Sequence, residues 1–437
     1  MSGLFRFGIS AVFVACSSPS GSIAVTLGGE TDTVSRSPAV DSYIVEAVDR
    51  SGNRQTLTQA KWSSGGSVDL GQLSQSVVAS IQLTGSDANA NAIVWGAVPF
   101  ATLGVFDGLT IPLFVQRKGE FARMPGTIAD ARNKPLLQRT ARGVYYAGGS
   151  LGGPIPPTGA YDLLLLQDFG STLAANRVAT SFAIIQLSQT NQEGDSALAL
   201  LIDSAGVDEF GLATDEIYSP GSLPEGKSWA DLAGGQTIVS PDDGTVYIIG
   251  SSKPDAVSSL VLQFPQSGTG STLEGVRRQG AAVAWAPKRG VFVYGGSATE
   301  VGAEIITSSS QPLPQKSDAT QGLAAVAFDS STMLIAGTAD TPHKIDLACT
   351  QSCAPIAWGK PLPQPLTSPS LFAIGKETFL IVGDDPSGAT VAYRLSETST
   401  DEKDLKIPRT GARAIQVETG QVVIIGGGNA TPESYVD

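Results

Sequence analysis

The sequence predicts an all-β chain, a seven-bladed β-propeller with a small β-sandwich ahead of it, and three observations lead there. The first is composition: 50 Gly and 26 Pro accompany many Val, Ile, Ser and Thr, and only 16% of residues are charged. That mixture favours strands and tight turns over solvated helices, and no long stretch shows a helical period. The second is a recurring unit, a strand, a tight turn and an apolar strand ending in glycine, repeated from about residue 112 to Asp437. The third is its spacing, near 45 residues, which suits four strands per unit.

The elements follow in chain order. At 437 residues more than one hydrophobic core is expected. Residues 1–15 have the shape of a secretory signal peptide: Arg6 is followed by an uncharged stretch ending at Val14-Ala15-Cys16, too short to span a bilayer as a mature helix. These last residues resemble the lipobox of bacterial lipoproteins, in which the cysteine thiol becomes the lipidated first residue. Phe13 stands where that pattern has Leu, and only one basic residue precedes the apolar stretch. The resemblance implies a lipid anchor at Cys16, a linker over 16–21, and a cell-envelope location. Ser17 and Ser18 stand where an Asp would imply inner-membrane retention, so the outer membrane is the expected address. More than one acyl chain would hold the protein there essentially permanently.

Residues 22–111 contain short β-branched or alternating runs, 22–27, 43–48, 77–83 and 93–98, separated by turn clusters such as Ser51-Gly-Asn. This is the pattern of a small β-sandwich, similar to immunoglobulin-like domains, with Trp62 and Trp95 as core aromatics.

Residues 112–437 form the repeat. Gly280-Ala-Ala-Val-Ala-Trp285, a turn and Val291-Phe-Val-Tyr-Gly295-Gly296 make one unit, and 323–337, 370–383, 237–250 and 412–428 make others. From Gly250 the closing glycines advance by 45, 42, 46 and 43 residues to Gly426. The step from Gly148 to Gly250 is 102 residues, two units, with Ala197–Ile202 as the missing strand and Asp203 in place of glycine. Four consecutive apolar residues suit a strand buried on both faces, and glycine suits the sharp turn after it. The paired glycines 148–149, 295–296 and 426–427, followed by Tyr161-Asp162 and Tyr435-Val-Asp437, resemble kelch-type propellers. Trp229 and Trp358 occupy plausible fourth-strand positions. Because Asp437 ends a third strand, a strand from before the first blade, either Leu113–Gln116 or Glu120–Arg123, is expected to complete the seventh blade and close the ring.

Charge and chemistry bound the function. A net charge of -13 and a pI near 4.6 would repel phosphate backbones, which argues against nucleic acid as a partner. Residues 22 to 118 carry 8 acids against 6 bases, so beside Arg6 the segment from 119 onward holds a net -12. Cys349 and Cys353 sit in one short loop and read as a disulfide in an oxidising compartment. The alternatives are free thiols or a metal, and for a metal the ligands are lacking, with His343 as the chain's sole histidine. Copper-oxidase chemistry, known among kelch-type folds, would need two histidines. Ser240-Pro-Asp242-Asp-Gly244-Thr-Val-Tyr247 resembles the aspartate box of sialidases, which is itself a hairpin turn. No pair of carboxylates has the spacing of a glycosidase acid and nucleophile. No catalytic residue, metal or cofactor is expected. The function expected is a non-catalytic envelope lipoprotein whose propeller binds a protein or glycan; the alternative is a carbohydrate-active propeller enzyme, sialidase-like or oxidase-like.

Overall fold

A computed structural model describes residues 21–437 apart from 64–66, 72, 75, 153–157, 169–177, 187–196, 213–216, 219–222, 224–225, 251–258, 265–269, 276–277, 279, 297–301, 316–318 and 352–353. Eight strands make the N-terminal unit: β1 (Gly21–Thr26), β2 (Ser42–Val48), β3 (Arg54–Lys61), β4 (Ser67–Gly71), β5 (Val78–Ser86), β6 (Ala92–Ala97), β7 (Ala101–Thr102) and β8 (Thr110–Arg117). They form one hydrogen-bonded path, β3-β2-β5-β6-β8-β1-β4, with β7 on β5. The path turns at β8, whose first half runs parallel to β1 and whose last residues run antiparallel to β6. Ile23, Val45, Ile81, Leu83, Leu113 and Val115 meet in one core and are wholly buried.

After β8 comes β9 (Glu120–Arg123), and then seven four-stranded antiparallel sheets. They span residues 136–168, 181–218, 236–275, 282–312, 324–357, 367–402 and, with β9 as the fourth strand, 412–436, here blades 1 to 7. The first strand of each blade touches those of its two neighbours all the way round. The hydrophobic clusters count the same way: beyond the N-terminal core there are seven among the described residues, one for each junction between neighbouring blades. Second strands are covered on both faces by this packing, so Gly290–Tyr294 and Val422–Gly426 are buried at every position. The fold is therefore an all-β chain with a seven-bladed propeller.

Closure follows from strand pairing. β9 lies beside the last strand of blade 7 (Glu433–Val436), with Phe121 opposite Tyr435 and Ala122 opposite Ser434. The Phe121 and Tyr435 rings are 5.1 Å apart, and the Gly119 N–H donates to the Val436 carbonyl at 2.6 Å. Of the two segments the sequence offers for closure, Glu120–Arg123 takes the role. Leu113–Gln116 belongs to β8 and the N-terminal sheet, so the boundary lies at Lys118-Gly119 and not at residue 112. The reason it reads as a propeller strand is double coverage. Leu113 and Val115 face the N-terminal core, while Phe114 packs with Met124 and Val423 of the propeller and Gln116 meets the Ser434 hydroxyl.

The glycines ending second strands are required by geometry at two clear positions. Gly295 has φ +74°, and a Cβ there would stand 2.6 Å from the Thr320 carbonyl oxygen. Gly426 has φ +80°, with the Arg132 carbonyl oxygen 2.4 Å from such a Cβ. In blade 2 Asp203 replaces glycine because the chain there makes a tight hairpin. Its carboxylate accepts the Ala205 and Gly206 N–H groups at 2.8 and 3.1 Å. Trp229 is not on a fourth strand: it opens a 3-10 turn (Trp229–Leu232) that enters blade 3, capped by Ser228. Trp358 directly follows the fourth strand of blade 5 (Ile356–Ala357) and stacks edge-on against Phe328 and Phe379, each at 5.4 Å.

Candidate functional site

The ring has two faces. One carries the hairpin turns between first and second strands, and the other carries the loops that follow the second-strand glycines. The N-terminal unit occupies the turn face at blades 7 and 1, where Ala97, Pro99 and Phe114 lie against Thr140, Ala141 and Val417. Arg50 pairs with Glu418 in the blade 7 hairpin at 3.1 Å. It also grips the outer edge of blade 7, through Arg36 with Glu120 at 2.9 Å and Glu30 with Arg123 at 2.8 Å. The glycine-loop face, together with the turns of blades 2 to 6, is thus surface left for a partner among the described residues.

On that face, between blades 4 and 5, lies a cavity of about 200 Å³. Tyr294 comes from the end of a second strand, Thr320 from the connection entering blade 5, and Thr338 and Asp340 from the loop after Gly337. His343 begins the third strand of blade 5 (His343–Asp346), half-buried, where it pairs with Ile335 and Ala357. Behind the cavity the Tyr294 hydroxyl meets the Gln315 amide nitrogen at 3.2 Å, while the buried Gln315 amide oxygen has no hydrogen-bond partner among the described residues. Hydroxyls, one carboxylate and one imidazole on an apolar floor of Leu323 and Ile335 can hydrogen-bond a small polar ligand or one residue of a larger one.

A second polar cluster lies in blade 1. Tyr146 on the second strand (Gly143–Ala147) hydrogen-bonds Asp168 on the fourth (Gln167–Asp168) at 3.2 Å. Arg132 stacks on its ring at 4.8 Å and pairs with Asp130. Burial pushes the Asp168 carboxyl above the usual carboxylate range and the Tyr146 hydroxyl above its own. The arginine has a structural explanation. Arg132, Arg278 and Arg409 each donate from Nη1 to the carbonyl of the glycine ending a second strand, Gly148, Gly295 and Gly426, at 3.1, 2.7 and 2.8 Å. Arg278 and Arg409 also pair with Glu304 and Glu433 on third strands, both at 3.0 Å. The repeat's strands and glycines alone do not single out these three residues. Their signal is an arginine 16 or 17 residues ahead of a glycine doublet.

Other expected positions fall as follows. The segment 240–247 is the hairpin between the first two strands of blade 3, where Gly244 has φ +71°. Asp243, rather than Asp242, holds it by accepting the Thr245 N–H at 3.0 Å. Trp62 packs edge-on against Tyr43 at 5.8 Å. Cys349 lies beyond the third strand of blade 5, its Sγ 3.3 Å from the Gln351 carbonyl oxygen. Cys16 and Cys353 lie outside the described residues. Among the described residues no three His, Cys, Asp or Glu side chains converge as a metal site would need.

No family model matches the chain, and no curated protein matches it. Among solved structures it is similar to a structural genomics protein of unknown function from Bacteroides thetaiotaomicron, at 12% identity, a TM-score of 0.35 and 90% coverage of each chain.

Proposed function

We propose that this chain is a non-catalytic lipoprotein of the bacterial envelope, held at a membrane through Cys16, whose propeller binds a protein or glycan with its glycine-loop face. The observation that carries the reading is the placement of the N-terminal unit. It covers turns of blades 7 and 1 and leaves the opposite face, with the His343 cavity, on the far side of the ring from that unit. Loops on a rigid scaffold suit recognition. We also read the propeller as kelch-type, supported by the positive φ of both glycines in 148–149, 295–296 and 426–427. The N-terminal unit reads as an immunoglobulin-like sandwich, supported by a single core enclosed by strands from both ends of its hydrogen-bonded path. The proposed Cys349–Cys353 bridge is supported by a spacing that closes one short loop.

Glycan-array screening of the chain, followed by titration of hits, tests the binding reading. Asp340→Ala and His343→Ala are each expected to weaken a hit about tenfold, the size of one or two lost hydrogen bonds. Hits that bind both variants as tightly as wild type would remove the cavity from the reading, and turnover of a bound glycan would overturn its non-catalytic part. Metabolic labelling with a palmitate analogue should mark wild type and spare Cys16→Ser; equal labelling removes the anchor. Alkylation of unreduced, denatured protein should leave Cys349 and Cys353 unmodified, and two reactive thiols there would refute the bridge.

A further inference from the structure

Four of the eight exposed large hydrophobic residues among the described ones, Val77, Val78, Val105 and Leu109, gather in one corner of the N-terminal unit, each 38 to 55% exposed. Backbone hydrogen bonds tie the corner together. Leu103 donates to the Val77 carbonyl at 2.9 Å, Leu109 to that of Phe106 at 3.0 Å, and Ser22 to that of Leu109 at 2.9 Å. Val105 stands on the 3-10 turn (Leu103–Phe106) between these contacts, and its neighbours Leu103 and Phe106 are buried in the core beneath. The patch therefore has a rigid backing. It also lies beside the point where the described chain begins, since a Cβ on Gly21 would lie 3.0 Å from the Phe106 carbonyl oxygen.

We propose that this corner docks on the bilayer, with Val77, Val78, Val105 and Leu109 entering the headgroup and upper acyl region; the proposal rests on lipidation at Cys16. Chain length sets the occupant. Five residue steps separate Cys16 from Gly21, and a fully extended chain gains at most about 3.5 Å per step, so the anchored residue lies within about 18 Å of Gly21, which borders the patch. That is shorter than the nine-residue strand β5, which at about 3.3 Å per residue runs to about 30 Å. Such a tether cannot let the unit present its far end to the membrane. Charge points the same way. The unit from 22 to 118 carries 8 acids against 6 bases, whereas the chain from 119 onward holds net -12, so an anionic leaflet repels the propeller and tolerates the N-terminal corner. The acids at this corner are exposed Asp69, opposite Ser22 on β4, one of whose oxygens accepts the Gly71 N–H at 2.9 Å, and half-buried Asp107, in the turn between Phe106 and Leu109.

The test uses the full lipidated chain in vesicles of phosphatidylethanolamine and phosphatidylglycerol, with and without brominated acyl chains. Val105→Trp places a fluorophore in the patch, and Ile356→Trp places one on blade 5 at a position 58% exposed. Bromine is expected to quench the added emission of Val105→Trp by at least half and to leave that of Ile356→Trp unchanged. Quenching of Val105→Trp in a Cys16→Ser chain added to the same vesicles would support docking on its own. If the chain carries acyl groups on Cys16 and floats with the vesicles but Val105→Trp is not quenched, docking is wrong and the anchor stands. If Cys16 carries no acyl mass and the chain does not float, the anchor fails and the docking proposal falls with it.

Discussion

Replacing Arg409 by Leu isolates what the buried arginines do. The Arg409 and Glu433 side chains are both 0% exposed and pair at 3.0 Å. Arg409 also donates to the Gly426 carbonyl at 2.8 Å and to the Thr431 carbonyl. Glu433 in turn accepts the Lys406 and Ile407 N–H groups at 2.7 and 3.1 Å. One side-chain pair thus joins the entry to blade 7, the end of its second strand and the start of its third. Removing the cation leaves a carboxylate buried without its counter-charge, which costs about 3 to 5 kcal/mol. At about 2 °C per kcal/mol for a domain of this size, the melting temperature should fall by about 6 to 10 °C. The control is Arg54→Ala, whose pair with Glu46 has an arginine 54% exposed and should cost no more than about 1 kcal/mol. The double variant Arg409→Leu/Glu433→Leu should be less destabilised than the sum of the single changes, by about 1 to 3 kcal/mol. Thermal and denaturant unfolding decide it. Arg409→Leu melting within 2 °C of Arg54→Ala, about one such increment, or strict additivity in the double variant, would refute the coupled pair.

Three further outcomes are expected. Gly295→Ala should cost at least about 2 kcal/mol in denaturant unfolding, because its φ of +74° is strained for alanine and its Cβ would meet the Thr320 oxygen at 2.6 Å; a neutral result would show that the blade contact yields. Burial raises the Asp168 pKa, so its ionised form opposes folding, and wild-type stability should drop as pH rises from the ordinary aspartate value through the folded one. Asp168→Asn should therefore melt higher than wild type at pH 7 and alike below that window, and the reverse order would contradict the assignment. Burial pushes the Asp437 carboxyl up, but hydrogen bonds from Arg394 at 2.7 and 3.1 Å hold it below the usual range. Its stabilisation is present above the ordinary aspartate value and lost as pH falls through the folded one, so the gap of about 1 kcal/mol between wild type and Arg394→Ala should close over that descent.

What the residues reveal, and what they hide, follows from how local each cause is. A strand covered on both faces leaves no place for polar side chains, so runs such as Val422–Gly426 announce themselves and count the blades. Strand counting exposes the open seventh blade in the same way. The identical logic misplaces β8, because its 113–117 run is also covered twice, once by its own core and once by the propeller. A lone arginine in a sequence looks like a solvated cation. Arg278 and Arg409 are buried only because Glu304 and Glu433 arrive 26 and 24 residues later, a pairing that the repeat sets and no local pattern displays. The cavity at His343 needs side chains from two blades, and its chemistry is legible only once neighbours around the ring are known.

Hydrogen exchange on the intact chain tests ring closure by β9 most directly. In a closed seven-bladed ring the Ala122 amide faces Ser434 inside the last sheet, and it should exchange only as slowly as Ile424 at the centre of the same blade. Exchange of Ala122 faster than that of Ile424 by orders of magnitude, with Ile424 still protected, would show a blade left open and contradict the closure.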